Sequence, residues 1–384
     1  MKNILICNLQ LPTKNIGSWT ELLMYLINKN PNLYDYIIVP RGEEDIRFDS
    51  IEYIEVNDKE SFGDKLKRIL RRIISNKVTY VGREKYANAV KTILKKHPSE
   101  KLLLNIIDNY GMTMTIADEL YEYRKAGRIK LVHHMHGYAY NPEILNHFYN
   151  SIDEIVYITY DSYINQINTV HTIPCEANVF HLGVDSKLFF TPPKSVQYEI
   201  RNRLNFDKDD IIFLWVSQNR PKKGLHIILE AWKEIAEKYE NAKLLIVGTQ
   251  KKAIEGSINW LGRIPNNELP AYYQMSDFYL FSTLCHEAQS MSLTEAIKAG
   301  CLVISSLIHP LDEILNYGKY GYMVKYPNII DCWVDGITEC IDVYLKNDKI
   351  NPYLKNIPER VYDLDDWCEN QVKLIKKWKA RLSS

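Results

Sequence analysis

A chain of 384 residues with 48 basic and 48 acidic side chains has no net charge to draw it onto a polynucleotide, so no nucleic-acid partner is expected. Its length and its 46% hydrophobic content suit about two ordinary globular domains. Seven cysteines show no C-x-x-C pair and mostly sit in apolar runs, which suits reduced thiols, and no residue set has metal-ligand spacing.

The opening residues MKNILICNLQLP carry one lysine and no small-residue cleavage site, and they read as a buried strand rather than a secretion signal. No run is long enough to cross a bilayer, so a cytoplasmic protein, soluble or peripheral, is expected. Strand-like and helix-like segments then alternate, the pattern of parallel α/β sheets. Strands are expected at 3–7, 36–39, 51–56, 102–107, 130–133 and 154–159 in the first half. In the second half they are expected at 211–216, 243–247, 260–263, 278–281 and 302–305, after a linker at 191–195.

Between the first two strands, Gly17 precedes a helix opened by a Ser18…Glu21 capping-box pattern. Simple turn chemistry fits there, and so does a backbone that approaches a phosphate closely. Residues 65–77 set Leu66, Ile69, Leu70, Ile73 and Ile74 against Lys65, Lys67, Arg68, Arg71 and Arg72. Such a helix either packs its stripe on a sheet or lies on an anionic membrane surface. His133, His134 and His136 cluster at a strand end, but alternate strand residues face opposite ways and nothing nearby completes a metal set. The D-x-D pairs Asp207/Asp209 and Asp363/Asp365 precede a strand and a helix and read as structural caps.

Arg220, Lys222 and Lys223 stand between a strand and a helix that begins near Gly224. A solvated turn fits them. A diphosphate clamp also fits, because helix N-termini offer unpaired N–H groups to anions. Further on, Glu287 and Glu295 are separated by seven residues, after the strand at 278–281 and before Ala299-Gly300, a good helix stop. Carboxylates at the C-terminal edge of an α/β sheet can accept paired sugar or ribose hydroxyls. Ser292-Leu-Thr-Glu295 equally fits a capping box.

Several segments occur together in a fixed order. They are Phe213-Leu-Trp-Val-Ser217 with QNRPKKGLHIILEAW, then Leu244-Leu-Ile-Val-Gly248, LGRIPNNELPAYYQMSDFYLFST, the two glutamates, CLVISS and HPLDEILNYGKYGYMV. With FHLGVDSKLFFTPP upstream, this order resembles the retaining glycosyltransferases of family 4 (group 1), and the glutamates resemble their E-x7-E signature. The likeness is good over roughly residues 175–325 and loose before them.

The resemblance implies the GT-B fold, with two Rossmann-like α/β domains whose parallel sheets face across a cleft. Residues 1–190 would bind acceptor, 191–363 would bind the nucleotide sugar, and 364–384 would form a helix crossing back to the first domain. It implies metal-independent, retaining transfer of a sugar from a nucleotide sugar such as a UDP-sugar to a glycan or lipid-linked acceptor. In bacteria that serves surface polysaccharide or lipopolysaccharide synthesis on the inner face of the membrane. Catalytic roles would fall on Glu287, Lys223, Arg220 and His136, with His134 the alternative. Donor contacts would come from Gly17, Ser18, Arg263, Ile264, Ala288, Gln289, Ser290, Met291, Ser292 and Glu295, and Glu313 resembles a further family acid. Ala288, Gln289, Ser290 and Ser292 replace the family's usual glycine, phenylalanine, glycine and proline, a departure that bears on the donor sugar. A nucleotide-sugar 2-epimerase of the same fold and an inactive nucleotide-sugar-binding protein remain as alternatives.

Overall fold

Short apolar runs build two all-parallel sheets in the computed structural model, which describes residues 1–12, 18–42, 47–57, 83–138 and 142–383. The chain divides into a unit of Met1–His181 with Cys368–Ser384 and a unit of Leu182–Trp367.

In the first unit the strands are β1 (Lys2–Ile6), β2 (Tyr36–Pro40), β3 (Glu52–Val56), β4 (Leu102–Ile107), β5 (Ile129–His134), β6 (Glu154–Tyr157) and β7 (Glu176–Val179). Their order is β3-β2-β1-β4-β5-β6-β7. The described helices are α1 (Ser18–Lys29), α2 (Glu84–Lys96), α3 (Tyr110–Glu119), α4 (Tyr121–Lys125), α5 (Pro142–Asn150) and α6 (Tyr160–Val170). β4 reads Leu-Leu-Leu-Asn-Ile-Ile and is buried throughout, as expected of a central parallel strand covered on both faces. Its one polar residue is satisfied within the sheet: Asn105 donates to Asn3 Oδ1 at 2.7 Å, and Asn3 donates to the Leu33 carbonyl at 2.7 Å.

The second unit has β8 (Ile211–Val216), β9 (Ala242–Val247), β10 (Ile258–Gly262), β11 (Phe278–Phe281), β12 (Leu302–Ser306) and β13 (Gly321–Val324), in the order β10-β9-β8-β11-β12-β13. Its helices are α7 (Lys194–Arg203), α8 (Leu225–Lys238), α9 (Leu269–Met275), α10 (Met291–Lys298), α11 (Leu311–Ile314) and α12 (Ile330–Lys346). α13 (Leu364–Ser383) leaves this unit and ends in the first. Two apolar clusters form the core. Phe213, Trp232, Phe278 and Trp333 belong to one, and Leu214, Tyr273, Tyr279 and Leu293 to the other. Each such side chain, fully buried, contributes about 1.5–3 kcal/mol against exposure.

Expected strands were found at their places, with ends shifted by one or two residues. Two further strands were not anticipated. β7 is short, polar and half exposed, and β13 begins at a glycine. The linker expected at 191–195 lies inside the second unit: Lys194 opens α7, and Thr191 donates to the Lys298 carbonyl at 3.4 Å. Within the first unit, Lys377 and the Trp378 indole of α13 donate to the fully buried Glu154 carboxylate, while Lys377 and Arg381 pair with Glu176.

Candidate functional site

In the second sheet the strand order reverses between β8 and β11, and open α/β sheets bind ligands at the C-terminal ends of strands flanking such a reversal. The loops leaving those two strands carry the basic residues and Glu287. They are joined by backbone as well as side chains. Leu284 N–H donates to the Lys222 carbonyl at 2.7 Å, and the Ser282 hydroxyl donates to the Lys223 carbonyl at 2.9 Å while accepting from Trp215 Nε1 at 3.0 Å. Gly224, at φ 71°, is required here, because a Cβ on it would lie 1.9 Å from the Ser282 carbonyl oxygen.

This seam brings the Lys223 ammonium against Glu287 Oε1. Thr283 donates to the same oxygen at 2.9 Å, and the Cys285 thiol lies 3.6 Å from it. The side chains of Lys223 and Glu287 retain 21% and 19% of their exposure, so the pair is held but still reachable by a solute. Arg220 is exposed and caps the 3-10 turn Pro221–Lys223.

Glu295 is half-buried within α10 and lies beside the buried phenols of Tyr273 and Tyr279. Burial first, then the neighbouring phenol and the Glu295 charge, push the Tyr273 hydroxyl far above its ordinary pKa. The capping-box alternative for Glu295 does not hold. The helix starts at Met291 with Ser290 as N-cap, so Ser292 is already inside the first turn, and its hydroxyl meets Ser290 Oγ at 3.1 Å.

The Gln289 side chain is committed to backbone. Its buried amide grips Leu182, accepting from the backbone N–H at 2.7 Å and donating to the carbonyl at 3.0 Å. Ala288, Ser290, Met291 and Ser292 are half-buried around it. Arg263 is exposed just past the end of β10, and Ile264 packs partly on the apolar cluster beneath. Glu313 lies in α11, half-buried.

His136 belongs to the first unit, just beyond β5. Its backbone N–H donates to Asp108 Oδ1 at 3.0 Å, its ring stands edge-on to Trp19, and its buried Nδ1 has no hydrogen-bond partner. Burial pushes its pKa down to about 4, which keeps the imidazole neutral. His133 and His134 are core residues: His133 Nδ1 meets Thr113 Oγ1 at 2.9 Å, and His134 Nε2 meets Asn105 Oδ1 at 3.3 Å. Among the described residues no group of His, Cys, Asp and Glu is arranged to hold a metal ion. Asp207 and Asp363 accept the backbone N–H of Asp209 and Asp365 at 2.8 and 2.9 Å, so both D-x-D pairs form turns. Ser18 begins α1, while Gly17 and the basic segment 65–77 lie outside the described residues. No described helix is long and apolar enough to cross a membrane.

Residues 196–356, most of the second unit, match the family model described as Glycosyl transferases group 1. The chain is 25% identical over 170 residues to the lipopolysaccharide 1,2-N-acetylglucosaminetransferase of Salmonella typhimurium, covering 39% of this chain and 44% of that protein. It is 24% identical over 224 residues to the alpha-monoglucosyldiacylglycerol synthase of Acholeplasma laidlawii, covering 53% and 56%. The chain thus spans about half the length of the curated relatives it matches. Among solved structures, Anabaena HepE in complex with UDP aligns with a TM-score of 0.72 at 16% identity, covering 98% of this chain and 100% of that one. Sucrose-phosphate synthase from Thermosynechococcus elongatus aligns at 0.72 and 12%, covering 99% and 100%. The fold is the GT-B fold of these glycosyltransferases.

Proposed function

We propose that the chain is a retaining glycosyltransferase that moves a sugar from a nucleotide sugar to a hydroxyl of a glycan or glycolipid acceptor. The observation that carries this reading is the reachable Lys223–Glu287 pair at the strand-order reversal of the second sheet. An incoming diphosphate competes with Glu287 for the Lys223 ammonium, and the released carboxylate accepts a donor-sugar hydroxyl in a charge-assisted bond. Lys223 and the exposed Arg220 then stabilise the charge that grows on the leaving diphosphate, so the basic loop supplies what a metal ion would otherwise supply. Glu295 takes the ribose hydroxyls. The leaving phosphate helps deprotonate the acceptor on the same face of the sugar, which gives retention without a protein nucleophile.

The names of the relatives point to lipopolysaccharide and diacylglycerol acceptors for those proteins, which supports a surface glycan or membrane lipid as acceptor here. The test is a panel of UDP-, GDP- and ADP-sugars incubated with and without acceptor. Nucleotide release that depends on acceptor, product of unchanged anomeric configuration and survival of activity in EDTA are the expected outcomes. Interconversion of donor sugars without acceptor would replace the reading by an epimerase, and binding without turnover would replace it by a binding protein. Abolition by chelation with rescue by magnesium would overturn metal independence.

A further inference from the structure

The N-terminal edge of the second sheet holds a crevice that the donor chemistry leaves unused. Asp277 and Gly300, just before β11 and β12, line a cavity of about 60 Å³ with Lys194, Gln197, Tyr344 and Lys349. β11 is four residues long, so this edge lies about 13 Å from the Glu287 loop at 3.3 Å per residue.

Its charges do not balance. Asp277 is already saturated: the buried Arg201 guanidinium pairs with Oδ2 at 2.7 Å, Ile212 N–H donates at 2.9 Å and the Tyr344 hydroxyl donates to Oδ1. Among the described residues no carboxylate lies within ion-pair reach of Lys194. Its ammonium donates to Gln197 Oε1 at 3.1 Å, meets the Tyr344 hydroxyl at 3.4 Å and stands 5.7 Å from the centre of that ring. Burial lowers the Lys194 pKa, and Arg201 and Lys349 lower it further against the opposing pull of Asp277. Among the described residues Lys349 pairs with the exposed Asp209, at 3.9 Å. Two ammonium groups, that of the exposed Lys194 and that of the half-buried Lys349, therefore share a crevice whose lining carboxylate is spent on Arg201. Lys194 is also the first residue of α7, so unpaired N–H groups of a ten-residue helix open beside it.

We propose that this crevice binds a single phosphate-type oxyanion, free or as the terminal group of a small organic phosphate, between Lys194 and Lys349. Bound there, the ion neutralises the excess positive charge and stabilises the folded second unit without touching the donor loop.

Thermal unfolding of the full chain tests this, with inorganic phosphate, a hexose phosphate, and potassium chloride at matched ionic strength. Phosphate is expected to raise the melting temperature saturably where chloride does not, and the shift should persist in Lys223→Ala. It should vanish in Lys194→Met and survive in Lys194→Arg. Lys349→Met, which removes the second cation, should weaken the apparent affinity severalfold and keeps the test decisive if Lys194→Met does not fold. A response to the hexose phosphate at lower concentration identifies an organic phosphate as the occupant, and a response to inorganic phosphate alone identifies the free ion. A shift lost in Lys223→Ala but kept in Lys194→Met would move the ion to the donor loop and overturn the proposal, as would no saturable shift at all.

Discussion

Two ion pairs stand at opposite edges of the second sheet and differ in what surrounds them. Arg201–Asp277 retains 3% exposure on each side chain, and every strong acceptor position of Asp277 is filled by a fixed donor. Lys223–Glu287 retains about a fifth of its exposure and lies on loops rather than under a strand. The first pair cannot exchange partners without opening the core; the second can. Breaking a buried pair strands a charge, whereas a reachable pair lets water or a ligand replace the lost partner.

The sharpest test is Asp277→Asn, which leaves the Arg201 guanidinium without its counter-charge. It should lower unfolding stability by about 3–5 kcal/mol in urea titrations. Little loss would mean that Arg201 finds water and that the two pairs are alike. Lys223→Ala should do the opposite. Turnover falls by about 2–4 kcal/mol of barrier, as when one charge-stabilising donor is removed, and the urea midpoint hardly moves. An unchanged rate would take the basic loop out of the chemistry. Thr283→Val removes the buried hydroxyl that donates to Glu287. A bond to a charged group is worth about 1.5–3 kcal/mol, and that loss should appear in kcat/KM rather than in folding if Thr283 positions the carboxylate.

A dependence on pH separates both pairs from the histidines of the first unit. His133 and His134 are pushed down to about 3 and His136 to about 4, in each case chiefly by burial. Below their ordinary pKa near 6.5 the unfolded chain binds protons that the folded chain refuses. Stability should therefore be full above pH 6.5 and fall progressively as pH drops toward 4 and 3. His134→Gln, measured by urea titration across that range, should flatten the slope. An unchanged slope would place the acid sensitivity elsewhere.

The architecture was legible wherever burial leaves a run of apolar residues. β4, β8 and β11 were read to the residue because central parallel strands are apolar on both faces. β7 escaped because Glu-Ala-Asn-Val is an edge strand with little to bury. Lys223, Glu287 and Glu295 were all singled out from the sequence, but the seam that sets Lys223 on Glu287 was not, since its partners lie about sixty residues apart. The grip of the Gln289 side chain on Leu182 was not legible either, since the two lie 107 residues apart. The Ser292–Glu295 spacing looks like a cap locally, and only the actual helix start decides against it.

The last turns of α13 carry a consequence for how the chain is made. Glu154 is enclosed by Asn178, Lys377 and Trp378, and two of those three partners are synthesised more than two hundred residues after it. A ribosome delivers β6 and β7 long before it delivers the helix that neutralises their carboxylates. The nascent first unit must wait with an uncompensated acid at its sheet edge while the whole second unit emerges and folds. Completion of the first unit is thus timed by the second, so an early stop codon or a frameshift near residue 370 would harm the half of the protein made first.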